Sequence, residues 1–389
     1  MKRIFLDYAS TTPVDKKVLK AMLPYMKYDF GNPSALYKEG VLAKVAISDA
    51  RKKIAELLAI RPEEMVFTAS GTEADNLALI GTVEAWKDGF VPHIITTTIE
   101  HPGILEVCKH LEKNGCEVTY VPVEENGIVD PQKIKSALKE NTVLVSIMYA
   151  NNEIGTIQPI RDIARIVQEY KKSHPSKLAL PYLHTDASQA ANYLDVSFQR
   201  LGVDMMTLDA SKFYGPKGVG LLASKRYVNI KPLILGGGQE KGLRAGTENV
   251  PGIVGFAHAL VLAEQMKEKE IQRLQELQEL FISHVIKYYP DVFIQGDIQK
   301  RLPNNVNIAK LGLDSEFAVI KLDHAGISCS SASSCMNLSE ESYSYVINAL
   351  GERGRASRSS SLRFTFGRKT TRKEIKLTLN KIRSILITQ

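Results

Sequence analysis

Residues 182–224 read YLHTDASQAANYLDVSFQRLGVDMMTLDASKFYGPKGVGLLAS. Three apolar runs in this stretch have the length and composition of buried β-strands: Tyr182–Asp186, Asp204–Leu208 and Val219–Ala223. Polar residues follow the first two runs at once, and Lys212 is among them. Because ligands of open α/β sheets bind beyond the carboxyl ends of the strands, the stretch predicts both a sheet and a site at its edge.

Strand-like and helix-like segments alternate on the N-terminal side of this stretch. The strand-like segments are Met65–Thr68, His93–Thr98, Glu117–Val121 and Val143–Met148. The helix-like segments are Thr72–Lys87, Ile104–Lys113, Pro131–Lys139 and Ile160–Lys172. This alternation predicts an α/β fold with mostly parallel strands joined by right-handed helical crossovers.

The C-terminal side has a different pattern, which begins with the long amphipathic helix predicted for Ile253–Tyr288. Beyond it we expect three strands, at Asp291–Ile294, Asn305–Ile308 and Leu362–Phe366. We also expect three helices, at Ser315–His324, Tyr343–Leu350 and Arg372–Ile385. The segment Gly351–Ser361, rich in Gly, Arg and Ser, predicts a loop. We therefore expect a large domain over residues 1–252, followed by a linking helix and a small α+β domain over residues 253–389.

The composition is that of a globular protein, with 44% apolar and 24% charged residues in a chain of 389. No apolar run is long enough to span a bilayer, and the N-terminal stretch is not typical of a signal peptide. These features predict a cytoplasmic protein without a membrane partner. Four cysteines do not form a disulfide framework in so long a chain, and no zinc-binding spacing occurs, so we expect no metal.

The positive charge is concentrated at the C-terminal end. Residues 351–389 contain 11 Lys or Arg and 2 Asp or Glu, which gives this segment a net charge of +9. The rest of the chain carries −2, so the total is +7. Such a segment can bind nucleic acid or an acidic partner. Apolar residues alternate with these charges in a helical pattern, which favours a solvated helix face, so we do not expect nucleic acid binding.

Two further residue groups could bind a charged ligand. Ser70-Gly71-Thr72-Glu73 lies between a predicted strand and a predicted helix, where free backbone N–H groups bind an anion; an ordinary helix cap has the same composition. Asp186 ends its strand and could hold a protonated pyridine nitrogen, or form a structural salt bridge.

Three side chains could take part in chemistry. Lys212 is placed to form an imine, although an isolated lysine is more often a surface residue. His101 could stack on a cofactor ring and move protons, or simply cap a helix. Cys335 lies in the small-residue run Ser328–Cys335, which could carry a thiolate to a substrate or be an ordinary loop.

Taken together, the chain resembles the cysteine desulfurases of the iron–sulfur-cluster and nitrogen-fixation type, in the class V aminotransferase superfamily. The resemblance extends from about Phe5 to Ile382. It is carried by ordered motifs: residues 6–13 (LDYASTTP), 30–34 (FGNPS), 70–76 (SGTEADN), 100–101 (EH), 151–155 (NNEIG), 185–189 (TDASQ), 214–218 (YGPKG), 243–247 (LRAGT), 322–327 (LDHAGI) and 362–364 (LRF).

The resemblance implies a fold-type I enzyme that uses pyridoxal 5'-phosphate to convert L-cysteine to L-alanine. Lys212 would hold the cofactor covalently, while Asp186 would pair with the ring nitrogen, Gln189 with the phenolic oxygen and His101 with the ring face. Gly71, Thr72 and Ser211 would hold the phosphate, joined by Thr247 of the partner subunit in a homodimer. Asn152 and Arg363 would bind the substrate carboxylate. Cys335 would accept the sulfur as a persulfide and pass it to an acceptor protein, a scaffold or a sulfur carrier.

The chain departs from the family pattern at several positions. Ser211 replaces the histidine that usually precedes the lysine, and Asp209 replaces a serine that often lies two residues earlier. The carboxylate of Asp209 either points away from the phosphate or weakens cofactor binding by repulsion. After Cys335 the sequence Met336–Ser339 also differs from the family pattern, and Cys329 is an additional thiol nearby.

Other functions are compatible with parts of this pattern. A selenocysteine lyase or an aminotransferase would share the cofactor residues, although an aminotransferase does not need Cys335. A catalytically impaired scaffold or a nucleic acid binder are the alternatives outside this enzyme group.

Overall fold

The computed structural model describes residues 3–86, 89–174, 180–331 and 343–386. In chain order the strands are β1 (Ile4–Phe5), β2 (Met65–Thr68), β3 (His93–Thr97), β4 (Glu117–Val121), β5 (Thr142–Ser146), β6 (Tyr182–Asp186), β7 (Met205–Asp209), β8 (Gly220–Ser224), β9 (Val292–Ile294), β10 (Asn305–Lys310), β11 (Ile327–Ser328), β12 (Ser330–Ser331) and β13 (Ser361–Thr365).

The helices follow the same order. They are α1 (Lys16–Lys27), α2 (Lys38–Leu58), α3 (Gly71–Trp86), α4 (Pro102–Lys113), α5 (Pro131–Ala137), α6 (Ile160–Ser173), α7 (Phe198–Leu201), α8 (Val250–Tyr288), α9 (Ser315–His324), α10 (Tyr345–Asn348), α11 (Gly351–Ser357) and α12 (Arg372–Leu386). Short 3₁₀ turns lie at Ala210–Lys212 and Gln239–Gly242.

The main sheet has seven strands in the order β2-β8-β7-β6-β5-β3-β4. The strands from β3 to β7 run parallel, as the alternation of strands and helices predicts. Strand β8 is antiparallel to both of its neighbours, β7 and β2. No helical crossover separates β7 from β8, and a short connection of this kind joins antiparallel strands. The predicted α/β fold with a mostly parallel sheet is thus confirmed, and β8 is the strand that makes the sheet mixed.

The carboxyl ends of the parallel strands meet at one edge of this sheet, and two helices begin there. Strand β2 is buried along its whole length and leads into α3, whose first residue is Gly71. Strand β3 leads into α4, with His101 as the N-cap residue and Pro102 at the first helical position. The chain therefore presents two helix N-termini beside the ends of β6 and β7.

A second region contains a smaller antiparallel sheet with the order β12-β13-β10-β9. The 39-residue helix α8 contacts α1 and α2 near one end, and it also contacts α12 and the small sheet. Strand β1 pairs in parallel with β11, so the N-terminal segment joins the C-terminal region. The division at residues 252 and 253 stays a prediction.

The loop prediction for Gly351–Ser361 is wrong, because Gly351–Ser357 forms helix α11 and Ser361 begins β13. Tertiary contacts stabilise this helix. The ring of Phe293 lies under the Arg353 guanidinium, at 4.5 Å, and Ser357 Oγ accepts a hydrogen bond from Gln295 Nε2 at 2.8 Å. The preceding helix is also shorter than predicted and ends at Asn348.

None of the helices in the described ranges is both long and apolar enough to cross a membrane.

The first testable prediction concerns Gly220, which faces Asp209 across the β7–β8 pair. A Cβ at this position would overlap the Ser70 carbonyl group and lie 2.8 Å from the Gly71 nitrogen. Gly220→Ala should lower the free energy of unfolding by about 1–3 kcal/mol, as overpacking does. Denaturant unfolding measures this change.

The matched control is Gly238→Ala, because a Cβ there meets no atom within 4 Å. This control should change the free energy of unfolding by less than about 0.5 kcal/mol. Equal effects of the two substitutions would show that the close packing of Gly220 does not contribute to the free energy of unfolding.

Candidate active site

A cavity of about 150 Å³ lies at the edge of the main sheet where β6 and β7 end. It brings together eight of the residues proposed from the sequence: Gly71, Thr72, His101, Asn152, Asp186, Gln189, Lys212 and Arg363. Ser211 and Thr247 do not line it in this single chain, and Thr247 is exposed. Cys335 lies outside the described residues.

Lys212 reaches the cavity from the 3₁₀ turn that follows β7. Its Nζ donates hydrogen bonds to the carbonyl oxygens of Ser10, at 2.6 Å, and Ala9, at 3.2 Å. Gln189 Nε2 donates to the same Ala9 oxygen at 2.9 Å. The N-terminal segment therefore orients the lysine amine and the glutamine amide side by side.

Two carboxyl groups lie close together in the cavity wall. Asp186, the last residue of β6, accepts a hydrogen bond from the Ser188 N–H at 2.9 Å. Asp75 lies on α3, and burial, together with the charge of Asp186, raises its pKa well above the usual value. Burial thus favours the neutral form of Asp75, and Asp186 is the carboxyl group at the strand end that could hold a cation. The sequence analysis quoted Asp75 only within a motif, although its position four residues after Gly71 puts both on one face of α3.

His101 is half-buried and faces the cavity from the start of α4. Its Nδ1 accepts a hydrogen bond from the Gly103 N–H at 3.0 Å, so the proton of the neutral ring lies on Nε2. Burial lowers the pKa of His101, and the charge of Lys212 lowers it further, while Asp186 and Asp209 raise it. The imidazole is thus neutral near pH 7. His101 both caps α4 and lines the cavity.

Glu100, next to His101, is completely buried. Its carboxyl group accepts hydrogen bonds from Thr97 Oγ1 at 2.6 Å and from the Met148 N–H at 2.9 Å. Burial raises the pKa of Glu100 to about 8. Its backbone carbonyl accepts a hydrogen bond from the Tyr345 hydroxyl at 2.6 Å, which connects the start of α10 to the cavity wall.

Arg363 and Asn152 form the opposite wall. Arg363 Nη1 donates to the Asn152 carbonyl oxygen at 3.0 Å, and Nη2 pairs with Asp7 Oδ1 at 2.8 Å. Arg363 Nε and Asn152 Oδ1 are both buried without a hydrogen-bond partner. Buried polar atoms in this state point to a ligand that completes their hydrogen bonds.

Comparisons with known proteins show the family to which this chain belongs. The family model described as aminotransferase class-V matches residues 4–377. A cysteine desulfurase IscS from Dictyoglomus turgidum is 43% identical and covers 99% of this chain and 95% of its own length. The chain belongs to the class-V aminotransferase family, and within it to the cysteine desulfurases.

Solved structures support the same family. A NifS-like protein superposes with a TM-score of 0.90 at 34% identity and covers 99% of both chains. A structure described as SspA in complex with cysteine has a TM-score of 0.79 at 33% identity, covering 93% of this chain and 98% of its own. The predicted fold and family are confirmed, and the cofactor of this desulfurase is pyridoxal 5'-phosphate.

The residues of the cavity fit the ring end of this cofactor. Lys212 would supply the amine for the aldehyde, Asp186 a carboxylate for the ring nitrogen and His101 a flat ring beside it, since all three line the cavity. The orphan Asn152 Oδ1 and Arg363 Nε are polar atoms that a bound ligand would satisfy.

The phosphate end differs from what the family resemblance implies. Asp209 does not point away, because its Oδ2 accepts the Gly71 N–H at 3.0 Å. Ser211 does not line the cavity, and its backbone N–H donates to Asp209 Oδ1 at 2.8 Å. Gly71 and Thr72 line the cavity as expected, but one donor of the phosphate cradle is already bonded to a carboxylate.

Cys329, the additional thiol, is half-buried, and burial raises its pKa to about 12. It is therefore protonated at neutral pH and a poor nucleophile. Cys108 and Cys116 are buried in the core.

Three of the basic residues near the C-terminus make separate contacts. Arg363 lines the cavity, Arg353 stacks on Phe293, and Arg368 lies 4.0 Å from the centre of the Tyr214 ring. On α12 the basic residues, such as Lys373 and Lys376, are exposed while Ile375 and Leu379 are buried, as expected for a solvated helix face.

The second prediction follows from the raised pKa of Glu100. Between the ordinary value of 4.5 and about 8, the unfolded chain loses the Glu100 proton while the folded protein keeps it. The stability of the wild type therefore falls as the pH rises through this range. Glu100→Gln removes this contribution, so the variant should gain stability relative to the wild type as the pH rises.

Urea unfolding at about pH 5 and about pH 8 measures how the free energy of unfolding changes with pH in the wild type and in the Gln variant. If the difference in stability between the wild type and the Gln variant were the same at both pH values, Glu100 would be ionised in the folded protein.

Proposed function

We propose that this desulfurase transfers the sulfur of L-cysteine to Cys335 and releases L-alanine, with the cavity at the ends of β6 and β7 as its active site. The observation that carries the proposal is the convergence of Lys212, Asp186 and His101 on one cavity whose opposite wall holds the unpaired polar atoms of Asn152 and Arg363. These groups suit a cofactor on one side and an amino acid on the other.

When bound, pyridoxal phosphate supplies an electron sink for the substrate carbon atoms. Lys212 holds the cofactor and is oriented by the Ala9 and Ser10 carbonyl oxygens. Asp186 keeps the ring nitrogen protonated. The neutral His101 presents its Nε2–H as a hydrogen-bond donor beside the ring, because its Nδ1 already accepts the Gly103 N–H.

Arg363 binds the carboxylate of L-cysteine. Its side chain is 5% exposed, and its guanidinium is held from two sides by Asp7 and the Asn152 carbonyl. The unpaired Nε and the Asn152 Oδ1 remain to contact the substrate. A fixed guanidinium suits a carboxylate because its parallel N–H groups match the two oxygens.

The described ends of the thiol segment support Cys335 as the sulfur acceptor. Ser330 pairs with Arg363 across the β12–β13 ladder, and four extended residues after Ser331 span at most roughly 14 Å. On the other side, Ser344 Oγ donates to Glu153 Oε2 at 2.6 Å, next to Asn152 in sequence. Both attachment points are thus neighbours of cavity residues.

The sulfur transfer forms one S–S bond and breaks one C–S bond. The Cys335 thiolate attacks the substrate sulfur, and the electron pair of the broken C–S bond goes to the substrate carbon. This carbon takes up a proton, and the product L-alanine leaves. The enzyme keeps the sulfur as a persulfide. An acceptor protein must remove this sulfur before the next turnover, for iron–sulfur cluster assembly or for tRNA or cofactor thiolation.

A homodimer completes the proposal. Several apolar side chains of α1 and α2 are exposed in the single chain: Leu19, Leu23, Met26, Val41, Leu42 and Val45. Exposed apolar clusters of this kind are typical of subunit interfaces. Thr247 is also exposed, which suits a residue that contributes to the cavity of the other subunit.

The third prediction tests the cofactor lysine and the acceptor thiol. The wild type should show the visible absorbance band of lysine-bound cofactor and release alanine from L-cysteine. Lys212→Ala should lack this band. Cys335→Ser should keep the band but lose more than about a thousandfold in turnover, as expected for a missing nucleophile.

Absorbance spectra and assays of alanine and sulfide measure these results, and Cys329→Ser is the matched thiol control. Full activity of Cys335→Ser together with an inactive Cys329→Ser would transfer the acceptor role to Cys329.

The fourth prediction concerns substrate binding. Arg363→Lys should raise KM for L-cysteine by about tenfold to a hundredfold, the effect of losing a charge-assisted hydrogen bond. Steady-state kinetics measure KM and kcat separately. The control Arg368→Lys alters an arginine that does not line the cavity and should leave KM unchanged. Equal KM values for Arg363→Lys and the wild type would contradict the assigned role.

A further inference from the structure

The carboxylate of Asp209 occupies the N-terminus of α3. Its Oδ2 accepts the Gly71 N–H at 3.0 Å, and its Oδ1 accepts the Ser211 N–H at 2.8 Å. Helix α3 has 16 residues, so its first N–H groups form a positive end that attracts anions. An anion belonging to the protein itself therefore already satisfies the donor that an incoming phosphate would use.

The backbone holds Asp209 in this position. Asp209 pairs with Gly220 in the β7–β8 ladder, and Gly220 packs directly against Ser70 and Gly71. A Cβ built on Gly71 would lie 3.2 Å from the Asp209 Cβ. A rotation of the Asp209 side chain therefore cannot take the residue far from the helix N-terminus, because its Cβ is itself adjacent to Gly71.

The charges around Asp209 do not offset its repulsion of a phosphate. Arg363 pairs with Asp7, and Arg244 Nε pairs with Glu73 at 2.9 Å. Lys212 is the cation that the cofactor aldehyde uses. Asp186 adds a second carboxylate to the same cavity.

We propose that Asp209 is a resident anion that sets the affinity of the phosphate subsite, and so determines how tightly the protein retains its cofactor. The phosphate has to displace the carboxylate from the Gly71 N–H and then remain beside it. Asp209 therefore weakens the binding of the phosphate group and has little effect on the binding of the ring. This inference rests on the proposed function, because it needs the cofactor to bind in this cavity.

The experiment compares two probes, pyridoxal phosphate and pyridoxal, which differ only in the phosphate. The full-length protein is stripped of cofactor with hydroxylamine, dialysed and titrated with each probe, and the visible band of the lysine-bound probe is recorded. Asp209→Asn should bind pyridoxal phosphate about tenfold to a hundredfold more tightly than the wild type, since one close like-charge contact is lost. Its affinity for pyridoxal should stay within about threefold.

Asp209→Ser is the second variant, and it should shift the affinity for pyridoxal phosphate in the same direction. The matched control is Asp130→Asn, which makes the same chemical change at the N-cap of α5, outside the cavity. This control should bind both probes like the wild type. Circular dichroism melts show whether each protein is folded.

Three results would overturn the inference. The first is an unchanged or weaker affinity of both folded Asp209 variants for pyridoxal phosphate. The second is an equal gain in affinity for both probes, which would assign the effect to the ring. The third is the absence of a visible band in the wild type and in both folded variants, and this result alone would also remove the proposed function.

Discussion

The close packing of Gly220 against Ser70 and Gly71 is the contact on which the site depends. It joins the start of β8 to the N-terminus of α3, and through the β7–β8 ladder it brings Asp209 to the same point. The 3₁₀ turn that follows Asp209 carries Lys212 into the cavity. One backbone approach, possible only for glycine, therefore sets the distance between the N-terminus of α3 and Lys212.

Burial of carboxyl groups determines the electrostatics around this contact. Asp75, Glu100 and Glu153 all have raised pKa values, and burial is the largest cause for each of them. Burial favours the neutral form of these three groups, and two further acidic residues, Asp186 and Asp209, face the cavity. In the proposed site Asp186 would favour the cationic ring of the cofactor and Asp209 would oppose its phosphate, so two identical functional groups would act in opposite directions.

The small sheet contributes to the same cavity from the other side. Arg363 is a residue of β13, and its partner Asp7 comes from the N-terminal segment, which itself pairs with the C-terminal region. The substrate side of the site thus depends on contacts between distant parts of the chain. The attachment of Ser330 and Ser344 near Arg363 and Asn152 places both ends of the thiol segment at this side.

The sequence by itself determined the strand and helix alternation, the family motifs and the residues Lys212, Asp186, His101 and Arg363, because apolar periodicity and ordered motifs are local properties of the chain. It did not determine that Gly351–Ser357 is helical, since that helix depends on contacts with Phe293 and Gln295. It also left the direction of the Asp209 side chain open. Only the tertiary structure decided this, because the pairing of β7 with β8 and the packing of Gly220 on Ser70 act between residues that are far apart in sequence.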